Sequence, residues 1–243
     1  MKKVLVTYGD KNYDKSLDLL KESAMEFGGI DEAIVYRPED HSEKYARVNS
    51  YILSKPRGAG FCIWKPSIIL KTFKTLDDGD VVLYSDGGLK VIKNLDPLFD
   101  MVKDYMLFEL APVGVPAHLA KSWTKRDCFV LMNCDTEKYW NADMLNAAIS
   151  VWRKTDKSIA LLKEWSRYMK DPRIVTDEPN VAGKANFLEY RDHRYDQSVL
   201  TNLATKYDIK LYRDPTQWGN GVIDKYDNSP YEQLFHHHRN FKH

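Results

Sequence analysis

Cysteine is scarce in this chain: Cys62, Cys128 and Cys134 are the only three in 243 residues, an odd and scattered set with no CxxC pair. That pattern excludes a disulfide framework. Each lies in an apolar, aromatic-rich stretch, where a free cysteine behaves as a small hydrophobe. Such usage fits a reduced compartment, so a cytoplasmic location is expected. Long hydrophobic runs are missing as well. Two lysines near the start precede only a short apolar run, residues 4–8, before Gly9 and Asp10. That is too short for a signal-peptide core or a membrane helix, and no other stretch reads as a membrane-spanning segment. An excess of either charge is also absent. Lys and Arg number 36 against 35 Asp and Glu, so no overall field draws the chain to nucleic acid or to an anionic membrane. The histidines lack an HExxH-type partner spacing, which argues against a zinc hydrolase. No repeat, low-complexity tract or linker interrupts the sequence, and one domain over 1–243 is the expectation.

What is present is the composition of a soluble globular protein, 43% hydrophobic and 29% charged. A chain of this length can bury roughly 70–75% of the surface its unfolded form exposes. Residues 4–6 form a β-branched run ending at the turn signal Gly9-Asp10. Tyr13, Leu17, Leu20, Ala24 and Phe27 then recur every three or four positions, one apolar helix stripe, stopped by Gly28-Gly29. Residues 33–36 resume as strand, and strand–helix–strand is the unit of an α/β nucleotide-binding sheet. A second helix is expected to begin at Pro66, which suits a first helical position, with Ile69, Phe73 and Leu76 on its buried side. Residues 81–84 read as a central strand buried on both faces. Residues 128–133 and 147–152 also read as strands. A helix signalled by Asp156 and Ser158 carries Ile159, Leu162, Trp165 and Met169 and stops at Asp171-Pro172. Residues 172–192 read as irregular, a further helix carries Val199, Leu200, Leu203 and Tyr207, and 209–212 read as a late strand. Trp152 and Trp165 read as core residues.

Asp86 stands just past the carboxyl end of the buried run 81–84, in the crevice where α/β sheets bind ligands. A carboxylate there suits Mg²⁺ or Mn²⁺ bridging the oxygens of a diphosphate, because such an ion needs few protein ligands when phosphate supplies the rest. Gly87 and Gly88 let the backbone approach a ligand closely. The competing reading is a plain Asp-Gly turn. Lys65 at a helix start conflicts mildly with the helix dipole, which favours a role as a point charge against phosphate over a surface position. Trp64 is either a stacking platform or a core residue. Asp196, Leu200, Leu203 and Tyr207 fall at i, i+4, i+7 and i+11, so a carboxylate shares the buried stripe of its helix and faces core or cleft. A cap or dipole-favoured acid is the alternative.

Several ordered motifs carry a family resemblance: Thr7-Tyr8-Gly9, Gly60-Phe61-Cys62-Ile63-Trp64-Lys65-Pro66, Gly79 through Ser85-Asp86-Gly87-Gly88, Trp123-Thr124-Lys125-Arg126-Asp127, and His193-Arg194-Tyr195-Asp196-Gln197-Ser198. Spanning 4–213, they resemble GT-A-fold glycosyltransferases, especially the bacterial and viral polysaccharide-type enzymes. The resemblance implies an α/β fold with a mixed, mostly parallel central sheet flanked by helices, its donor-binding part near residues 1–100. It implies transfer of a hexose from a nucleotide diphosphate sugar, a UDP-sugar, to a glycan or glycoconjugate acceptor. Thr7, Tyr8 and Gly9 would lie by the base and ribose. Ser85, Asp86, Gly87, Trp64 and Lys65 would hold the phosphate end, while Asp196 and Gln197 hold the donor sugar. Asp127 would bind sugar hydroxyls or pair with Lys125 and Arg126, and His193 and Arg194 would add phosphate or acceptor contacts.

The family usually has Asp-x-Asp where this chain has Asp86-Gly87-Gly88, so one carboxylate stands where two are common. In glycogenin-like and galactosyltransferase relatives a His near the C-terminus completes the Mn²⁺ or Mg²⁺ site. The cluster His236-His237-His238 resembles such a donor, with His236 and His238 as the candidates; a solvated tail is the alternative. The rival functions are a sugar-nucleotide pyrophosphorylase, for which residues 7–12 make a poor phosphate loop, and a non-catalytic nucleotide-sugar or carbohydrate-binding module.

Overall fold

A computed structural model describes residues 1–112 and 117–238. Strand β1 (Lys3–Tyr8), helix α1 (Asp14–Phe27) and strand β2 (Glu32–Tyr36) form the expected unit, with β1 and β2 paired in parallel. Helix α2 (Trp64–Phe73) leads into β3 (Val81–Ser85), which lies parallel to β1 on its other side. After β4 (Leu89–Val91) and β5 (Tyr105–Glu109), strand β6 (Leu145–Arg153) inserts between β3 and β5, antiparallel to both. The resulting sheet has the order β2-β1-β3-β6-β5, with β6 alone running against the other four. Helices α3 (Asp156–Tyr168) and α4 (Tyr195–Lys206) follow, and β7 (Phe235–His237) pairs antiparallel with β4 in a separate ribbon.

The period of two along each strand divides the core into two layers. Val4, Val6, Val82, Tyr84 and Trp152 face α2, α3 and α4, whereas Leu5, Val81, Leu83 and Val151 face α1 and the β4–β7 ribbon. Both faces are covered, which is why residues 81–84 are apolar without alternation. Trp152 and Trp165 stack in the first layer with ring centroids 6.1 Å apart and no exposure, as core residues. The α1 stripe is buried at Leu17, Leu20 and Ala24 and runs out into solvent at Tyr13 and Phe27.

Residues 172–192, read as irregular, open with one short helix, Pro172–Val175, capped by Asp171. Three further local readings change. Residues 128–133 are not a strand; most of the run lies in a helix, Arg126–Leu131, since periodicity cannot separate a short apolar strand from a short buried helix. Residues 209–212 form no strand beyond a single bridge from Tyr212 to Phe108. Helix α2 starts at Trp64, so Lys65 and Pro66 both lie in its first turn, where proline's missing N–H is harmless. β5 and the β4–β7 ribbon had no counterpart in the sequence reading.

The N-cap of helix α3 lies one residue before the expected signal. Thr155 is the N-cap, accepting from Ser158 N, while the Ser158 hydroxyl accepts from Thr155 N. Thr155→Ala is expected to lower the unfolding free energy by about 1 kcal/mol, measured by urea titration. An unchanged midpoint would show that the reciprocal cap contributes nothing.

Candidate functional site

The site begins with a run of left-handed backbone. Gly58, Ala59, Gly60, Phe61 and Cys62 have φ of 56°, 46°, 86°, 53° and 56°. For each of the three residues carrying a Cβ this conformation costs about 1–2 kcal/mol, so the surroundings must hold it. Gly60 N, Phe61 N and Cys62 N donate to Lys55 O, Arg57 O and Gly58 O at 2.9, 2.7 and 2.9 Å. The Phe61 ring meets Tyr195 edge-on at 5.5 Å, and Arg57 pairs with Asp177 and Asp192. Tyr195 is itself at φ 23°, so strained backbone converges from two distant segments. Such strain collects where geometry serves a site. Here it turns Cys62 and Lys65 toward one cleft.

Lys65 is the centre of the arrangement. Its buried ammonium lies 2.6 Å from Asp196 Oδ2 and 3.4 Å from Asp86 Oδ1, and donates to Ala147 O at 2.9 Å. Its Nζ is 4.7 Å from the Tyr84 ring centroid, and the Tyr84 hydroxyl donates to Asp86 Oδ1. Burial opposes the lysine's charge, but Asp196 and Asp86 outweigh it and hold Lys65 protonated well above its ordinary range. Burial likewise pushes the Asp196 carboxyl up, against the pull of Lys65. The contact is an ion pair whose carboxylate is harder to ionise than a free one.

The Ala147 carbonyl reaches Lys65 because β6 is irregular there. The pairing with β5 jumps from Leu107↔Ser150 to Phe108↔Asn146, a bulge that leaves 147–149 without partners in β5. Bulges re-aim groups at sheet edges and beside sites. This one gives Lys65 its carbonyl and lets Ala148 O accept from Asp86 N at 2.8 Å. Leu89 N donates to Asp86 O at 3.3 Å, so Asp86 also opens the Asp-Gly turn between β3 and β4. The turn reading and the strand-end reading are both correct geometry.

Lys65, Asp86, Asp196 and Gln197 line one cleft of about 530 Å³, a volume usual for a small-molecule site. Gln197 is buried and its Nε2 finds no hydrogen-bond partner among the described residues. Asp196 is not the cap of α4, because Arg194 holds that position. The cleft contains further groups that the sequence did not single out. Asp214, buried, accepts from Asn146 Nδ2 at 2.9 Å and Thr216 N at 2.8 Å, and burial holds its carboxyl above the ordinary range. Trp218 and His237 also line the cleft, together with Arg194, to which the motif His193–Ser198 points. Asp214 follows a basic residue in an irregular tail, and no period marks it.

Other expected residues lie elsewhere. Asp127 is fully buried and does not line the cleft: its oxygens accept from Val181 N at 2.7 Å and Ala182 N at 3.0 Å. Nor does it pair with its neighbours, since Arg126 binds Asp135 and Lys125 donates to Glu178 O. Tyr8 and Trp64 stack on each other at 4.0 Å in the core layer, with His41 on Tyr8's flank at 5.7 Å. Thr7 and Ser85 are fully buried, and a Cβ on Gly9 or Gly87 would meet Leu17 at 2.9 Å, so these residues close the sheet end under the cleft. His236 points to solvent and His238 donates its backbone N–H to Gly88 O, whereas His237 faces the cleft.

His193 is also structural. Lys125 N donates to its Nδ1 at 3.2 Å, so Nε2 carries the proton and donates to Ile174 O at 2.8 Å. Burial pulls its pKa down to about 3, against about 6.5 in an unfolded chain. Between those values only the unfolded state takes up the proton. The contribution is therefore intact above pH 6.5 or so and falls by about 1.4 kcal/mol per unit as pH drops toward 3. From pH 7 to 4.5 the native chain is expected to lose about 2.7 kcal/mol more than His193→Gln, by urea unfolding at both pH values. Equal losses would overturn the assignment.

For a divalent cation, the cleft offers suitable donor types, the Asp86 carboxylate and the His237 imidazole. Among the described residues no three His, Cys, Asp or Glu side chains gather as a metal site, and Asp86 Oδ1 already faces Tyr84 and Lys65. The donors thus fit an ion that takes most of its shell from a bound diphosphate and water.

No family model matches the chain, and no curated protein matches it. Solved structures do. Mouse xyloside xylosyltransferase 1, in its apo form, superposes with a TM-score of 0.51 at 10% identity, covering 98% of this chain and 97% of that one. The apo-form glycosyltransferase GlyE of Streptococcus pneumoniae TIGR4 gives 0.49 at 12% identity, covering 98% of this chain and 54% of that one. The first likeness establishes the fold: a GT-A-like α/β architecture with a mostly parallel five-stranded sheet, as the sequence motifs implied.

Proposed function

We propose that this chain is a glycosyltransferase that moves a hexose from a UDP-sugar to a glycan acceptor. The observation that carries the reading is the buried Lys65 between Asp86 and Asp196 at the carboxyl end of β3, beside the Gln197 Nε2 that has no partner among the described residues, on a fold shared with the mouse xylosyltransferase. A polar cluster this buried is hard to explain as stabilisation, because desolvation offsets most of its Coulomb energy.

In this reading Lys65 fixes the Asp196 carboxylate and supplies positive charge beneath the donor phosphates. The Gln197 amide donates to a sugar hydroxyl, and Asp196 accepts from another. Asp214, held by Asn146, would accept a hydrogen bond from the acceptor hydroxyl. Trp218, 38% exposed at the cleft, offers an apolar face to a sugar ring. Asp86 and His237 would hold Mn²⁺ or Mg²⁺, which when bound neutralises charge growing on the leaving nucleotide. Work on polysaccharide in the cytoplasm is the accompanying expectation; no helix among the described residues is long and apolar enough to cross a membrane.

The test is a screen of nucleotide sugars for released nucleotide, with Mn²⁺ present and absent, on the parent and on Asp86→Asn. At least one UDP-sugar is expected to be turned over with metal, and Asp86→Asn to lower that rate by about a hundredfold with an unchanged melting temperature. Near-normal metal-dependent turnover by the variant would sink the role of Asp86. Turnover of no nucleotide sugar, together with no metal-dependent thermal shift by UDP or GDP, would sink the transferase reading.

A further inference from the structure

The chain is balanced in charge overall, yet its lysines are not evenly spread. Helices α2 and α3 pack side by side, and a groove of about 490 Å³ runs between them. Lys71 and Lys74 form one wall; Lys154, Lys163 and Lys170 form the other, and no acidic residue lines it. Most contacts of these ammonium groups do not neutralise them. Lys71 donates to the Asp40 backbone oxygen at 2.7 Å, and Lys170 lies over the Tyr45 ring at 5.8 Å. Lys154 donates to Leu76 O and meets Asp78 at 3.3 Å, a carboxylate that is itself 91% exposed. Five like charges around one concavity repel one another in the free protein, so a bound polyanion gains from relieving that repulsion.

We propose that this groove docks an acidic glycan chain, one carrying a carboxylate on successive sugars. The choice of a glycan rests on the transferase reading above; the choice of a polyanion rests on the groove itself. Three features set the class. The lining has no arginine, so it offers point charges and no planar fork, which suits a chain of spaced anions held by charge rather than by bidentate geometry. It has no exposed aromatic ring on which nucleobases could stack, because Phe73 in the floor is only 2% exposed. Leu70 and Ile159 are its partly buried apolar residues, a narrow strip between the lysine rows that can take the apolar face of a sugar ring. The groove is concave, and none of its residues is an exposed large hydrophobe that could enter a bilayer. Two facing rows of charge fit a linear chain lying between them.

The experiment measures binding to the full chain by calorimetry without any sugar donor. The probes are a short oligogalacturonate, a neutral malto-oligosaccharide of equal length, oligoglutamate, a single-stranded oligodeoxynucleotide, and phosphatidylcholine vesicles with about 30% phosphatidylglycerol. The oligogalacturonate is expected to bind at low salt and to weaken at least about tenfold at 0.5 M salt, where the Debye length shrinks to a few ångströms. Lys74→Glu/Lys163→Glu is expected to weaken it at least as much, and Lys74→Gln/Lys163→Gln by a smaller factor in a protein of unchanged melting temperature. Binding of the malto-oligosaccharide equal to that of the uronate would overturn the proposal, as would indifference of both variants. Tighter binding of oligoglutamate, oligonucleotide or vesicles than of uronate would overturn the choice of glycan. Because no donor is present, loss of uronate binding leaves the transferase reading standing. A failed nucleotide-sugar screen leaves the groove's binding of polyanion to be judged on its own.

Discussion

Lys65→Met is expected to lower the unfolding free energy by about 3–5 kcal/mol at pH 7, the usual effect of removing one partner from a buried ion pair. Methionine matches the length of the lysine stem, so the loss is electrostatic rather than a cavity. Asp196, 4% exposed, is left without its cation at 2.6 Å. Burial is then opposed only by the backbone hydrogen bond from Gln197, so the carboxyl rises further. The sign of the pH dependence follows. A carboxyl raised in the folded state above its unfolded value favours folding at low pH and opposes it once pH exceeds the unfolded value. The deficit of Lys65→Met should therefore be largest at pH 7 and shrink as pH falls toward 4, where the acid protonates. Lys65→Met/Asp196→Leu is expected to recover most of the loss, because neither desolvated charge remains. Urea titrations of the two variants at pH 7 and 4.5 decide it. A single variant within about 0.5 kcal/mol of the parent, in the range of an ordinary surface change, would mean that the pair is not coupled. Donor turnover should fail in both variants, which separates what the pair does for the site from what it does for the fold.

Gly60→Ala is expected to be about as damaging, roughly 3 kcal/mol or more, by two effects that add. Gly60 has φ of 86°, and a side chain there forfeits about 1–2 kcal/mol. Its Cβ would also stand 2.8 Å from Leu53 Cα and 3.1 Å from Ile52 O. Both are backbone atoms that cannot swing aside, and overpacking of this kind typically costs about 1–3 kcal/mol. The turn it belongs to aims Cys62 and Lys65 into the cleft, so the variant should lose affinity for the donor along with stability. Ala59→Gly is the counterpart. Ala59 is left-handed at φ 46°, and glycine there relieves strain, so stability should hold or rise slightly. Unfolding measured side by side should move the two variants in opposite directions; a Gly60→Ala variant as stable as the parent would remove the turn from the account of the site.

How far the site could be read in advance depended on the residue. Asp86 was legible because an apolar run without alternation marks a central strand, and the residue past its end falls where ligands bind in α/β sheets. Asp196 was legible from helical spacing, which put a carboxylate on a buried stripe. Asp127 had a different and more local signal, an acid beside two cations. It was misread because its partners, the N–H groups of Val181 and Ala182, lie 54 and 55 residues away. The histidine triplet shows a different limit. Side chains alternate along a strand, so one residue of slip exchanges the inward and outward sets. The pairing of His237 with Leu89 brings His237 into the cleft and turns His236 out. Three identical neighbours carry no pattern from which that register could be taken.

The sequence by itself determined the alternation of β1, α1 and β2, the buried strand β3, the two stacked tryptophans as core, and a strand-end carboxylate. All of these follow from local periods and from residues close in the chain. Only the tertiary structure decided what Asp86 meets. Lys65 reaches Ala147 and Asp196 across 82 and 131 residues. It does so through a β6 bulge and a left-handed turn that no composition rule signals. Local pattern fixes which face a residue is on. Which charges share that face depends on how distant segments close on one another, and in this protein that closure sets a lysine between two aspartates.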